Sequence, residues 1–112
     1  MKIKSLEQKA ETSAKIFGGK SEDYLQIHEM MDKLIYEKND IRYAIIFHSA
    51  FGCHKLIPAI FGHEIKNSNG KMVSTQEIAE YHILMDFNMK FIPTYQDWIE
   101  NLEYKHWFNN NR

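Results

Sequence analysis

Apolar positions recur at helical spacing along most of the chain. The first two amphipathic segments predict helices over Leu6 to Phe17 and over Ser21 to about Glu37. Gly18-Gly19 between them is a left-handed helix stop that glycine accepts cheaply. The candidate N-caps of these two helices are Ser5 and Ser21. The polar run Glu7-Gln8-Lys9 of the first helix is predicted to face water.

A third helix is predicted from Ile41 to about Ile60, with Asp40 as its cap. Its residues are apolar nearly all round, which predicts the central and most buried helix of the protein. Pro58 lacks a backbone donor and clashes with the preceding turn, so the helix is predicted to kink or end there.

The spacing changes after this segment. Glu64 to Ser74 has the pattern of a small β-hairpin around the turn Asn69-Gly70. Two further helices open with capping-box patterns, Ser74 with Glu77 and Thr94 with Asp97. The whole pattern predicts a mainly α fold: an irregular bundle of four to five helices with one short β-hairpin, forming a single domain over residues 1–112 with a frayed tail from about Asn109.

Composition narrows the classes of function. The chain has 112 residues, 44% of them hydrophobic, which suits one globular domain. Fourteen Lys and Arg against fifteen Asp and Glu give a net charge of -1, so a nucleic-acid partner is not expected. The single cysteine, Cys53, excludes an internal disulfide, and no apolar run is long enough to span a membrane. A cytoplasmic protein without a membrane anchor is therefore expected, and the lysine, isoleucine and asparagine bias suggests a phage or low-GC bacterium.

Three of the six histidines fall on apolar helix stripes. His28, His48 and His82 each lie on the face of a different predicted helix that should be buried. Asp32 and Asp86 follow two of them at the i,i+4 offset, which places each carboxylate on the same side of its helix as the histidine.

Imidazoles and carboxylates that converge from several helices are a common way for bundles to bind metal. Three histidines would suit Zn, and added carboxylates would favour Fe or Mn. In the alternative interpretation, His28 and His82 bond an Asp or a backbone carbonyl as polar core pairs, and His48 fills space beside Gly52. Helical spacing gives the direction of a side chain but not its depth, so both interpretations stay open.

Two other groups of residues contain side chains that could take part in catalysis or in protein contacts. Cys53 and His54 point about 100° apart on a helix and do not form a nucleophilic dyad, so Cys53 is interpreted as a small buried thiol. An aromatic cluster near the end of the chain either closes the core or, if exposed, forms a protein-contact patch: Tyr104, Trp107 and Phe108, with His106 between them.

The order and spacing of several motifs resemble a family of small bacterial and phage proteins known as a domain of unknown function. The similarity spans about Ala14 to Leu102 and rests on these pieces: Gly18-Gly19-x-x-x-Asp23-Tyr24-Leu25-x-Ile27-His28, His48 with Gly52, Phe61-Gly62, Asn69-Gly70-Lys71-x-Val73, Ala79-Glu80-x-His82-x-x-x-Asp86 and Ile92-Pro93-Thr94-x-x-Asp97-Trp98. The resemblance implies homology but no activity. It also implies a histidine near the start of the first helix, where this chain has Gln8 and Lys9.

Two functional hypotheses follow. The favoured one is a small non-catalytic protein-binding module, encoded by a phage or mobile element, that acts on a host or defence protein. The other is a metal-binding helical protein with a buried site at His28, His48 and His82, with Asp32 or Asp86 as ligands or supporting groups, and with the chemistry of a metal-dependent hydrolase. The oligomeric state is left open.

Overall fold

The computed structural model describes residues 5–101. The chain is mainly helical with one two-stranded antiparallel hairpin, which confirms the predicted fold class. The elements are α1 (Leu6–Phe17), α2 (Glu22–Lys38), a 3₁₀ turn (Ile41–Tyr43), α3 (Ala44–Phe47), a π-helical turn (Gly52–Leu56), α4 (Ile57–Phe61), β1 (Glu64–Lys66), β2 (Met72–Ser74), α5 (Thr75–Asp86) and α6 (Tyr95–Asn101).

The core lies where α1, α2 and α5 pack on one another, with the π-helical turn and α4 against α5. Its fully buried apolar side chains come from α2, from the segment around the π-helical turn, and from α5. They include Tyr24, Ile27, Met31, Cys53, Ile57, Ile78, Ala79 and Ile83. No helix within residues 5–101 combines the length and the apolar character needed to cross a membrane.

The start of α1 follows the sequence prediction, and Ser21 takes the predicted N-cap position of α2 without a capping side chain. Ser5 and Gln8 form a reciprocal capping box. Ser21 makes no capping hydrogen bond, because its backbone is helical and its hydroxyl donates to the Glu22 carboxylate. The carboxylate of Asp23 instead accepts the backbone N–H of Lys20 at 2.8 Å, just before the helix.

The long third helix predicted over Ile41 to Ile60 is wrong. The chain leaves the helix at His48 and Ser49 and re-enters it through the π-helical turn. The Ser49 hydroxyl accepts the backbone N–H of Gly52 at 3.1 Å and so caps the second half. Pro58 does not end that half: it lies in the first turn of α4, directly after the π-helical turn, where its missing donor and its ring are tolerated.

The hairpin agrees with the sequence. Ile65 pairs with Val73 at the centre of the two strands. The turn between the strands is organised by Asn67, whose carboxamide oxygen accepts the N–H groups of Asn69 and Lys71. The Asn67 amide also donates to the backbone carbonyl of Phe17, which ties the hairpin to the end of α1.

Candidate metal centre

Six polar side chains from four segments meet in the middle of the protein. Each is at most 2% exposed to solvent. We call this group the core cluster: Lys9 from α1, His28 and Asp32 from α2, His48 from the bend after α3, and His82 and Asp86 from α5. The five residues predicted from helical spacing therefore lie together, with one unpredicted lysine among them.

Four members of the core cluster direct donor atoms towards one point. We call Asp32, His48, His82 and Asp86 the donor group; one ligand atom from each lies within 4.8 Å of the others. The Asp32 Oδ1 atom is 2.8 Å from His82 Nε2 and 3.0 Å from His48 Nε2. The two Nε2 atoms are 3.0 Å apart, and His48 Nε2 is 3.2 Å from Asp86 Oδ2.

His28 lies behind His82 rather than in the donor group. Its ring stacks on that of His82, with centroids 5.0 Å apart, and the two Nδ1 atoms are 2.8 Å apart. On its other side, His28 Nε2 is 2.7 Å from the hydroxyl of Ser13 in α1. The structure therefore brings His28 to the cluster as a neighbour of His82.

Lys9 overturns the prediction that its run faces water. Glu7 and Gln8 are exposed, but Lys9 is fully buried. Its Nζ atom is 2.8 Å from Asp32 Oδ2, 3.1 Å from Asp86 Oδ2 and 3.3 Å from His82 Nε2. The sequence contains one indication that Lys9 is buried. Lys9, Ser13 and Phe17 recur every four residues and lie on the buried stripe of α1.

The pKa values of the three histidines shift in different directions. Burial opposes the imidazolium of His48, but hydrogen bonds to Asp32 and Asp86 outweigh it and raise the pKa of His48. Burial and neighbouring positive charge lower the pKa of His28 to about 3, and burial, only partly offset by Asp32, lowers that of His82 to about 4.

The two carboxyl groups of the cluster are ionised. Burial alone would raise the pKa values of Asp32 and Asp86. Hydrogen bonds from the histidines, together with the charge of Lys9, lower both instead. At neutral pH both carboxyl groups of the metal-free cluster therefore carry a negative charge.

Hydrogen-bond geometry assigns the tautomers of the neutral rings. A carboxylate only accepts, so His82 carries its hydrogen on Nε2 and donates to Asp32. His82 Nδ1 then accepts from His28 Nδ1, and His28 Nε2 accepts from the Ser13 hydroxyl. Ser13, His28 and His82 thus form a chain of hydrogen bonds that ends on Asp32.

The bend after α3 gives His48 its position. The backbone carbonyl of His48 accepts the indole N–H of Trp98 from α6 at 2.6 Å. The backbone N–H of Ala50 donates to the carbonyl of Pro93 at 2.8 Å. These long-range bonds hold the backbone at His48 outside the helix. Helical spacing describes only contacts within a helix, so it did not identify Trp98 or Ser49 as residues that position His48.

The remaining candidates are weaker. Cys53, His54 and Glu80 form a second group of possible ligands, with His54 Nε2 3.3 Å from a Glu80 oxygen. Cys53 is buried, as expected, and burial raises the pKa of its thiol to about 12. The predicted protein-contact residues Tyr104, Trp107 and Phe108, and the tail predicted to fray, lie outside the described residues.

Comparison with known families agrees with the spaced motifs of the sequence. The family described as Domain of unknown function (DUF6915) matches residues 4–108. The chain belongs to this family. The DUF6915 match includes every member of the core cluster. No curated protein and no solved structure matches the chain, so the DUF6915 assignment brings no activity with it.

Proposed function

We propose that the protein binds one divalent transition-metal ion in the donor group of Asp32, His48, His82 and Asp86. The convergence of these four donors from three segments is the observation that supports the proposal. Zinc bonds of about 2.0–2.2 Å in a tetrahedron place neighbouring donor atoms about 3.3–3.6 Å apart. Four of the six separations in the donor group are 2.8–3.2 Å, about 0.1–0.8 Å shorter than these, and the other two are at most 4.8 Å.

The donor chemistry narrows the choice of ion. Two imidazoles and two carboxylates suit Zn, Fe(II) or Mn(II), whereas Ca²⁺ and Mg²⁺ favour oxygen ligands. Four enclosed protein ligands are typical of a structural site, while a metal-dependent hydrolase keeps an open coordination position for water. The near-complete burial of the donor group therefore favours metal binding over hydrolysis.

The Ser13–His28–His82 chain suits a metal ligand. To bind a metal through Nε2, His82 must carry its hydrogen on Nδ1. The two hydrogen bonds behind it then reverse: His82 Nδ1 donates to His28, and His28 Nε2 donates to the Ser13 hydroxyl. No partner is lost in the reversal, and hydrogen bonds of this kind orient metal-bound histidines in many proteins.

Metal analysis of protein purified without chelator tests the proposal, together with thermal unfolding of stripped protein after addition of Zn(II) or Mn(II). We expect about one ion per chain and a melting temperature that rises with metal concentration, since an ion that binds the folded state stabilises it. His48→Ala should abolish both effects. His63→Ala, which removes an exposed histidine, is the matched control and should retain them.

Two results would contradict the proposed metal site. If the wild-type protein holds no ion, and its melting curve ignores Zn(II), Mn(II) and chelator alike, the donor group is a structural ion network and the proposal is wrong. Metal binding that survives in His48→Ala would place the ion elsewhere, with Cys53, His54 and Glu80 as the next group to change.

Docking on a protein partner is the second candidate function. Exposed apolar side chains favour it, including the contacting rings of Phe51 and Tyr95, with centroids 5.5 Å apart. Within this proposal the partner is a host or defence protein, and the setting is the cytoplasm of a bacterium or of a phage-infected cell. A partner that copurifies with the wild type and is lost from a folded Phe51→Ser variant would support it; retention by that variant would count against this surface.

A further inference from the structure

The Lys9 ammonium lies among the atoms that would hold a metal. It contacts three of the four donor residues, at 2.8 Å from Asp32, 3.1 Å from Asp86 and 3.3 Å from His82. Lys9 itself is fully buried, so water does not screen its charge. Its stem enters the core from α1, a helix that supplies no member of the donor group.

We propose that Lys9 is a tethered cation that fills the donor group in the metal-free protein and must withdraw before a metal ion binds. This inference rests on the proposed metal-binding function and adds its regulation. In the filled state the ammonium pairs with both carboxylates, so the fold does not need an ion. In the metal state the ion takes over the contacts that Lys9 makes with Asp32, Asp86 and His82.

Electrostatics makes the two occupants exclusive. A divalent ion and an ammonium group held by the same carboxylate oxygens would lie only a few ångströms apart, and like charges at that distance repel strongly in a buried site. Lysine suits a displaceable occupant, because its charge is carried on a flexible four-carbon stem. Lys9 also lies in the first turns of α1, three residues after the Leu6 start of the helix.

Because Lys9 competes for the donor group, a metal ion binds only if its affinity for these ligands exceeds a minimum value. An ion must bind the imidazoles and carboxylates strongly enough to break two ion pairs of Lys9. Zn(II) gains from the two histidines and can meet that threshold, whereas ions that depend on oxygen ligands gain little there. The lysine therefore favours transition metals over the abundant Mg²⁺ and Ca²⁺.

The test compares Zn(II) affinity in wild type, Lys9→Leu and Lys15→Leu, measured by competition with a chromophoric chelator. Leucine removes the ammonium and adds no ligand atom. Lys15 is exposed on the same helix, so its variant is the matched control for the loss of one lysine. We expect Lys9→Leu to bind Zn(II) at least about tenfold more tightly than wild type, and Lys15→Leu to match wild type.

The outcomes separate this inference from the proposed function. If wild type binds Zn(II) and Lys9→Leu binds it no more tightly, the tethered-cation inference is wrong and metal binding stands. If only Lys9→Leu binds, and binding disappears on adding His48→Ala, Lys9 blocks the site permanently: the competition is real and the wild-type function is wrong. If neither binds, both are wrong.

The loss of buried charge pairing can also impair folding, so Lys9→Met is made in parallel and both variants are refolded with and without Zn(II). Refolding that needs Zn(II) in the Lys9 variants but not in wild type supports the inference, because the ion then replaces the missing cation. Variants that refold equally well or equally badly with and without Zn(II), while wild type binds the ion, overturn it.

Discussion

Burial and hydrogen bonding divide the three inward histidines into two kinds. His28 and His82 are neutral rings whose pKa values lie at about 3 and 4, and they relay one hydrogen-bond chain from Ser13 to Asp32. His48 faces both carboxylates, which raise its pKa against the cost of burial. One residue type thus supplies rings with lowered and with raised pKa values, at centroid distances of 5.0 Å for His28–His82 and 4.8 Å for His48–His82.

This division predicts a stability maximum near pH 6.5 for the metal-free protein. Below pH 6.5 the unfolded chain protonates His28 and His82 while the folded protein does not, so stability falls as the pH drops towards 4. Each histidine contributes a slope of up to about 1.4 kcal/mol per pH unit. Above pH 6.5 the stabilisation from His48, whose folded pKa is raised, is lost as the pH rises through that pKa.

Urea denaturation of chelator-treated protein between pH 4.5 and 8.5 measures this profile. Asp32 and Asp86 do not contribute to it, because their lowered pKa values affect stability only in more acidic solution. His28→Gln should reduce the acid slope by about half, and the exposed-site control His63→Gln should leave it unchanged. An acid slope that is identical in His28→Gln and wild type would mean that His28 is not the neutral group assigned here.

At the scale of elements, the sequence predicted what local chemistry determines. The cap at Ser5 and the cap of Ser74 on Glu77 both occur as expected, and so does the hairpin. The prediction for the segment after α3 was wrong because its apolar pattern does not reveal two hydrogen bonds that hold the chain out of the helix. The Trp98 indole N–H donates one of them and the Ala50 backbone N–H donates the other.

The core cluster, too, could be predicted from the sequence only in part. Helical spacing identified His28, Asp32, His82 and Asp86, which lie on the buried faces of α2 and α5. His48 was predicted from a longer helix that does not form, and the bend after α3 buries it instead. Lys9 was missed because a lysine in a polar run is ordinarily a solvated residue. Only the packing of α1 on α2 and α5 shows that the ammonium meets two carboxylates.

Gly52 is the residue on which the bend depends. A Cβ atom at this position would overlap the backbone carbonyl of Phe47, which cannot move without moving His48. Gly52→Ala should therefore cost about 1–3 kcal/mol in urea denaturation, as overpacking in a core does, and should weaken metal binding as well. Ala59→Ser, which adds one atom on the exposed side of α4, should change neither. Wild-type behaviour of Gly52→Ala in both measurements would show that the bend is not needed.

For the whole molecule, the core cluster joins parts of the chain that are distant in sequence. Its ion pairs connect α1 to α2 through Lys9 and Asp32, and α1 to α5 through Lys9 and Asp86. His48 adds the bend after α3. Buried ion networks of this kind are weak evidence for stability, because removing charges from water costs about as much as their pairing returns. The proposed metal binding would give these buried charges a role other than stability.

If the network serves ion binding rather than stability, the losses of stability should be strongly non-additive when its charges are removed together. Lys9→Leu alone leaves two buried carboxylates with reduced compensation and should cost about 3–5 kcal/mol in the metal-free protein. Adding Asp32→Asn and Asp86→Asn removes both buried carboxylates with little change of shape, so the triple variant should be more stable than Lys9→Leu by about 1–3 kcal/mol. Urea denaturation of the single, double and triple variants measures the coupling. Additive losses would mean that each residue stabilises the fold on its own; a stable triple variant that no longer takes up Zn(II) would mean that the charges are present to bind an ion rather than to hold the fold together.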